Sequence, residues 1–256
     1  MEKIIVRIYQ YNDYNGMSRQ VANIISAQVI MKPDSVLGLA TGATPIGAYR
    51  QLIDWYNKGD ISFSQVRTFN LDEYVNLELN HEQSYRNFMK RHFFDFVNIQ
   101  EENINIPDGR SKDILDECTR YEKKIADLGG IDIQLLGIGH NGHIGFNEPE
   151  FAFELGTHVV TLSESTRQAN SINFNNDIAQ VPEFAITMGV KNIMHARKIV
   201  IAASGEDKAD IIFKAFKGPV MPNVPASILQ MHPDVILVGD EGALYKLIES
   251  GEKLTQ

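Results

Sequence analysis

The 256-residue chain holds a single cysteine, Cys118, so no internal disulfide can form. A lone thiol among helix-forming residues, with no catalytic partner nearby, reads as structural in a reducing compartment. Basic clusters longer than a residue pair are missing, and 24 Lys and Arg against 33 Asp and Glu give a formal net charge of −9. That balance argues against nucleic acid or an anionic membrane as partner and favours a small molecule. No apolar run approaches bilayer-spanning length, and the opening MEKIIVRIYQYND lacks the apolar stretch of a secretory leader, so the expected location is cytoplasmic. Internal repeats, low-complexity tracts and linker-like shifts are also lacking, which leaves one domain over residues 1–256 as the simplest organisation. Composition leaves assembly into a homo-oligomer open.

What is there suits a large α/β domain, with 43% hydrophobic residues to supply its core. Strands are expected at Ile4–Ile8, Ser35–Ala40, Val66–Leu71, Ile131–Gly139, Lys198–Ser204 and Asp234–Asp240. Several are apolar throughout, as strands covered on both faces should be. Helical spacing falls between them at Met17–Met31, Pro45–Asn57, Ser84–Phe94, Asp113–Leu128, Lys208–Phe216 and Glu241–Glu249, with Gly59 and Gly129-Gly130 as stops. This alternation predicts a doubly wound, mostly parallel sheet with helices on both faces. Ligands of such sheets bind beyond the carboxyl ends of the strands.

Four strand exits carry unusual residues. In GLATGATPIGAY, Gly38–Tyr49, the small residues Thr41, Gly42, Ala43 and Thr44 precede Pro45, with Thr44 the expected N-cap of a helix. Backbone N–H groups there can cradle a phosphate, although alone the loop could equally be an ordinary capped turn. It is neither the dinucleotide glycine pattern nor a P-loop. In FNLDEYVNL, Asp72 and Glu73 follow an apolar run, so one carboxylate can face a cleft as a general base while its neighbour points elsewhere. LLGIGHNGHIGFNEP, Leu135–Pro149, joins a strand to four glycines, His140, Asn141, His143 and Glu148. His143 can exchange protons near neutral pH, with Asn141 and Glu148 to orient it, and His140 is expected to be an exposed bystander. A metal site from His140, His143 and Glu148 is the weaker reading, for want of further ligand spacing. AASGEDKADII places Lys208 at a helix start, as a phosphate contact or a solvated lysine.

Together LGLATGATP, TFNLDEYV, GIGHNGHIGFNEP, VPEFAITMGV and the segment around Lys208 resemble the glucosamine-6-phosphate deaminase family, in order and spacing, over nearly the whole chain. The resemblance implies a Rossmann-like sheet, no metal or redox cofactor, and conversion of glucosamine 6-phosphate and water into fructose 6-phosphate and ammonia. It implies His143 as ring-opening acid/base assisted by Glu148 and Asn141, Asp72 as enolisation base, and phosphate binding by Thr41–Thr44 and Lys208. Three departures stand out. Asn141 replaces an aspartate of the enteric and animal members, which shifts imidazolium stabilisation toward Glu148. Ile172 replaces a phosphate-binding arginine, for which Arg167 is the nearby candidate. Phe151, His158 and Val160 replace activator contacts, so no activation of the enteric type by N-acetylglucosamine 6-phosphate is expected. Rival readings are a galactosamine-6-phosphate deaminase, a pentose-phosphate-pathway lactonase, disfavoured by GFNEP, and a non-catalytic sugar-phosphate sensor.

Overall fold

The computed structural model describes residues 6–78 and 80–255. Its strands are β1 (Arg7–Tyr11), β2 (Val36–Leu39), β3 (Arg67–Asn70), β4 (Asp72–Tyr74), β5 (Ile104–Asn105), β6 (Ile133–Leu136), β7 (His158–Thr161), β8 (Phe184–Thr187), β9 (Lys198–Ala203) and β10 (Val235–Asp240). Its α-helices are α1 (Tyr14–Met31), α2 (Ile46–Asn57), α3 (Tyr85–His92), α4 (Ile114–Asp127), α5 (Glu164–Asn170), α6 (Val190–Met194), α7 (Ala209–Lys217) and α8 (Glu241–Glu249). Ile4 and Ile5 of the first expected strand lie outside the described residues. That strand runs on to Tyr11 because it pairs with β10 from Arg7↔Ile236 to Tyr11↔Asp240.

Seven strands form one parallel sheet in the order β1-β10-β9-β6-β2-β3-β5. The chain moves outward from β2 through β3 to β5, then restarts on the other side of β2 at β6 and moves outward to β9 and β10. Right-handed crossovers in opposite directions put helices on both faces: α1 packs on α2, and α7 on α8. The reversal lies between β2 and β6, so the loops leaving these two strands splay apart over one crevice.

The expected strands in the middle of this sheet are present because β2, β6 and β10 are buried at every position. The chief departure is a second, antiparallel sheet, β4-β8-β7, formed by segments not among the expected strands. Its pairing Asp72↔Thr187 joins distant parts of the chain. Tyr74, Phe146, Leu162, Phe174, Val181 and Ala185 pack into a core of its own. Phe146 belongs to the histidine-bearing loop, so that loop is anchored to the small sheet.

Helix starts show where local chemistry overrides periodicity. Helix α1 begins before Met17 because the Asp13 side chain accepts from Gly16 N–H as N-cap. Thr44 does not cap α2: the helix starts after Pro45 with no side-chain cap of its own. Instead the Tyr14 hydroxyl accepts from Gly47 N–H at 2.8 Å and donates to Ala43 C=O at 3.1 Å. Tyr14→Phe removes both bonds without changing the ring. It is expected to cost about 1 kcal/mol and lower the melting temperature by about 2–4 °C, which calorimetry checks.

Candidate active site

The loop after β6 returns on itself. Gly139 N–H donates to His143 C=O and Gly142 N–H to Gly139 C=O, both at 3.0 Å. The His143 imidazole lies flat on Gly139, where a Cβ would fall 2.3 Å from the ring; only glycine permits that approach. Beyond the histidine, Phe146 N–H donates to Thr187 Oγ1 at 3.0 Å, and the Asn147 amide donates to Ile144 and Met188 carbonyls. The loop is thus stapled to β8 at Thr187, the residue that pairs with Asp72 of β4.

Glu148 is the carboxylate partner of His143, as expected: its Oε1 lies 3.8 Å from the imidazole Nδ1. Its other oxygen, Oε2, accepts from Asn141 Nδ2 at 2.6 Å. Burial pushes the Glu148 carboxyl up, but the nearby imidazole, the Thr166 hydroxyl and the Asn141 amide outweigh that and hold it below the usual range. Asn141 itself does not bond the imidazole. Its Oδ1 accepts from His143 backbone N–H at 3.1 Å, so the amide braces loop to carboxylate and leaves the ring to Glu148. Thr166, which donates to Glu148 Oε1, was not singled out by the sequence. Its only signal was the Ser163-x-x-Thr166 start of a helix, an ordinary capping pattern.

Asp72 and Glu73 diverge, as alternate residues of a strand must. Glu73 accepts from the N–H groups of Tyr74, Tyr85 and Arg86 and so closes the N-terminus of α3. Asp72 faces the other way, only 6% exposed, and no hydrogen bond reaches its carboxylate among the described residues. Gly145, with φ +59, sits against it: a Cβ there would lie 3.4 Å from Asp72 Oδ2 and 3.0 Å from Thr187 Oγ1. Burial, with Glu73 alongside, pushes the Asp72 carboxyl up to about 8. The histidine loop therefore touches both candidate proton carriers, one through Gly139 and the other through Gly145.

Lys208 reaches the head of the same loop, donating from Nζ to Ile138 C=O at 3.1 Å; burial lowers its pKa, against the pull of Asp207. His140 is exposed as expected, but it has a partner, Asp207 Oδ2 at 2.6 Å, and is turned toward that residue. Thr41–Thr44 leave β2, next to β6 in the sheet. No hydrogen bond links them to Asp72, His143 or Lys208 among the described residues, and their backbone N–H groups have no protein acceptor. Arg167, the candidate for the missing arginine, donates to Ile178 and Val181 carbonyls. Ile172 is exposed in the turn after α5. Phe151, His158 and Val160 line a cleft of about 410 Å³ that also reaches Glu148.

Asn141→Asp replaces the amide donor at Glu148 Oε2 with a second carboxylate. Like charges at that range favour protonation, so Glu148, followed by 13C NMR, is expected to become a roughly tenfold or more weaker acid. An unchanged titration midpoint would mean that the amide does not brace the carboxylate.

A family model described as glucosamine-6-phosphate isomerases/6-phosphogluconolactonase matches residues 14–237. The chain is 59% identical over 233 residues to the glucosamine-6-phosphate deaminase of Lachnoclostridium phytofermentans, across 91% of this chain and 98% of that protein. A solved monomeric glucosamine-6-phosphate deaminase superposes with a TM-score of 0.91 at 42% identity, covering 94% of this chain and 100% of the other. The 6-phosphogluconolactonase of Thermotoga maritima superposes at 0.74 with 18% identity, over 92% and 100% of the two chains, a likeness of fold alone. With its match running from α1 into β10, the chain belongs to the family of glucosamine-6-phosphate isomerases and 6-phosphogluconolactonases.

Proposed function

We propose that the chain is a glucosamine-6-phosphate deaminase that converts glucosamine 6-phosphate and water into fructose 6-phosphate and ammonia, with residues 1–256 as one catalytic domain. The observation that carries this reading is the pair of proton carriers packed against one loop: the buried Asp72 carboxyl on β4, against Gly145 and pushed up to about 8, and His143 backed by Glu148.

The substrate is a closed aminopyranose, so a proton must first move from the anomeric hydroxyl to the ring oxygen. His143 is the carrier, and Glu148 stabilises the imidazolium formed on the way. With C1 an aldehyde, the C2 proton is acidic enough for a carboxylate to take it. Asp72 takes it from C2 and returns it to C1, which leaves an imine at C2. Water adds there and ammonia departs, giving the ketose. A carboxyl that titrates near the working pH suits this two-way transfer, since neither accepting nor releasing the proton is uphill by much.

The phosphate stands apart from the chemistry, and its binding energy serves positioning. The free N–H groups of the Thr41–Thr44 turn and the Lys208 ammonium are its proposed contacts. With Ile172 in place of a guanidinium, phosphate is held by backbone and a single lysine. No helix among the described residues is long and apolar enough to cross a membrane, and the reading takes the enzyme as cytoplasmic, acting on a small molecule.

Ammonia release measured with glucosamine 6-phosphate and galactosamine 6-phosphate side by side is expected to favour the former; preference for the latter would move the assignment to its C4 epimer. Asp72→Asn is expected to cut turnover by about 10²–10⁴-fold while raising thermal stability. Between the unfolded value of about 3.9 and about 8, the folded chain holds a proton that the unfolded chain releases. Wild-type stability therefore falls as pH rises through that window. The melting-temperature gain of the asparagine variant should grow across the window and level off above it. Surviving turnover, or a gain independent of pH, would contradict the role given to Asp72.

A further inference from the structure

Helix α5 lies outside the four strand exits, yet one of its faces bonds both Glu148 and the strand that carries Asp72. Thr166, in its first turn, is 6% exposed. Its Oγ1 accepts from Ser163 Oγ at 3.0 Å, and its N–H donates to the same oxygen at 3.2 Å. Because that oxygen already accepts, the threonine proton is directed onward to Glu148 Oε1. This is the oxygen that faces His143 Nδ1, while Oε2 is taken by Asn141. Each carboxylate oxygen thus has its own donor, and the plane of the group is fixed relative to the imidazole. One helical turn later, on the same face of α5, Asn170 Nδ2 donates to Tyr74 Oη at 2.9 Å. Tyr74 lies on β4 with Asp72, on the same side of the strand.

We propose that Thr166 is a positioning residue for the ring-opening proton transfer, and that through it α5 holds the carboxylate partner of His143 in register with the strand that carries Asp72. The threonine does not touch the substrate; it acts through Glu148. A hydroxyl that only filled space could be replaced by a methyl group at little cost. A hydroxyl that orients one oxygen of a charged carboxylate could not. His143 is the titratable group that faces this carboxylate, with the neutral Asn141 and Thr166 completing its contacts.

The inference rests on the deaminase reading for its kinetic consequences, but not for its structural one, and two measurements separate them. Thr166→Val keeps the shape and removes the donor, whereas Thr166→Ser keeps the donor. In the ammonia-release assay, Thr166→Val is expected to lower kcat by roughly 10–100-fold with little change in KM. The acidic limb of its pH profile should move to higher pH, because Glu148 loses a donor to its charged form. Thr166→Ser is expected to restore both. In the substrate-free protein, 13C NMR of the Glu148 carboxyl should show a higher titration midpoint in Thr166→Val and a near-native one in Thr166→Ser. Should Thr166→Val fail to fold, Thr166→Ala carries the same expectations.

An unmoved Glu148 midpoint in the valine or alanine variant overturns the positioning role, as does a serine variant as impaired as valine. If the wild-type chain releases no ammonia from either amino-sugar phosphate, the deaminase reading fails. The carboxyl titration then still decides whether Thr166 orients Glu148.

Discussion

Keeping an ionisable carboxyl away from water without a hydrogen-bonding partner costs free energy unless the group holds its proton. Asp72 is held in that condition, with Glu73 next to it in the chain. The two neighbours are treated in opposite ways by the same strand. Glu73 receives three backbone N–H groups from Tyr74, Tyr85 and Arg86, while Asp72 receives none among the described residues. The difference follows from the alternation of a β-strand, which sends one side chain to the start of α3 and the other into the site. Pairing with β8 keeps Asp72 there, because a slip of one residue would exchange the two acids.

The rest of the molecule serves that arrangement. The large parallel sheet reverses its winding between β2 and β6, and the loop that leaves β6 crosses to the small sheet. Gly139 lets the imidazole of His143 lie against the backbone, and Gly145 lets the same loop press on Asp72. Phe146, the residue after Gly145, is buried in the small core and fixes the loop there. The proposed ring opening and C2-to-C1 proton transfer need an imidazole and a carboxyl in fixed relation, and one braced loop packed against both provides it. Glu148 is charged below its usual range because its donors outweigh its burial, whereas Asp72 is pushed the other way. Two carboxyls in one site are thus driven in opposite directions by their surroundings.

Much of this was legible in the sequence. β2, β6 and β10 are mostly apolar and buried at every position, which is the pattern of strands covered on both faces, and five of the six expected helices begin and end within about two residues of their assigned ends. The divergence of Asp72 from Glu73 and the exposure of His140 also follow from residue type and spacing, whereas the pairing of His143 with Glu148 is what the family resemblance implies. The antiparallel sheet did not. Its strands are short, β7 is half exposed, and Asp72 pairs with Thr187 across more than a hundred residues. No local pattern encodes such a contact. The sequence points to Thr44 as the cap of α2, but the true partner, Tyr14, comes from another helix. Asn141 was expected at the imidazole and instead bridges Glu148 and the backbone, a distinction that only the fold of the loop decides. Thr166 looks like any threonine in a first helical turn; its meaning lies in what stands opposite it.

In the proposed reading the loop after β6 holds His143 at the ring-opening oxygens and packs on Asp72 of β4, which faces C1 and C2 of a sugar whose phosphate lies beyond β2. A crystal structure with an open-chain, reduced amino-sugar phosphate bound, which has no aldehyde and so cannot react, tests this most directly. The expected result is phosphate bonded to the N–H groups of Gly42, Ala43 and Thr44 and to Lys208, with C1 and C2 against the Asp72 carboxyl and the ring-opening oxygen toward His143. Phosphate bound away from the Thr41–Thr44 turn, or Asp72 with no access to C2, would contradict it.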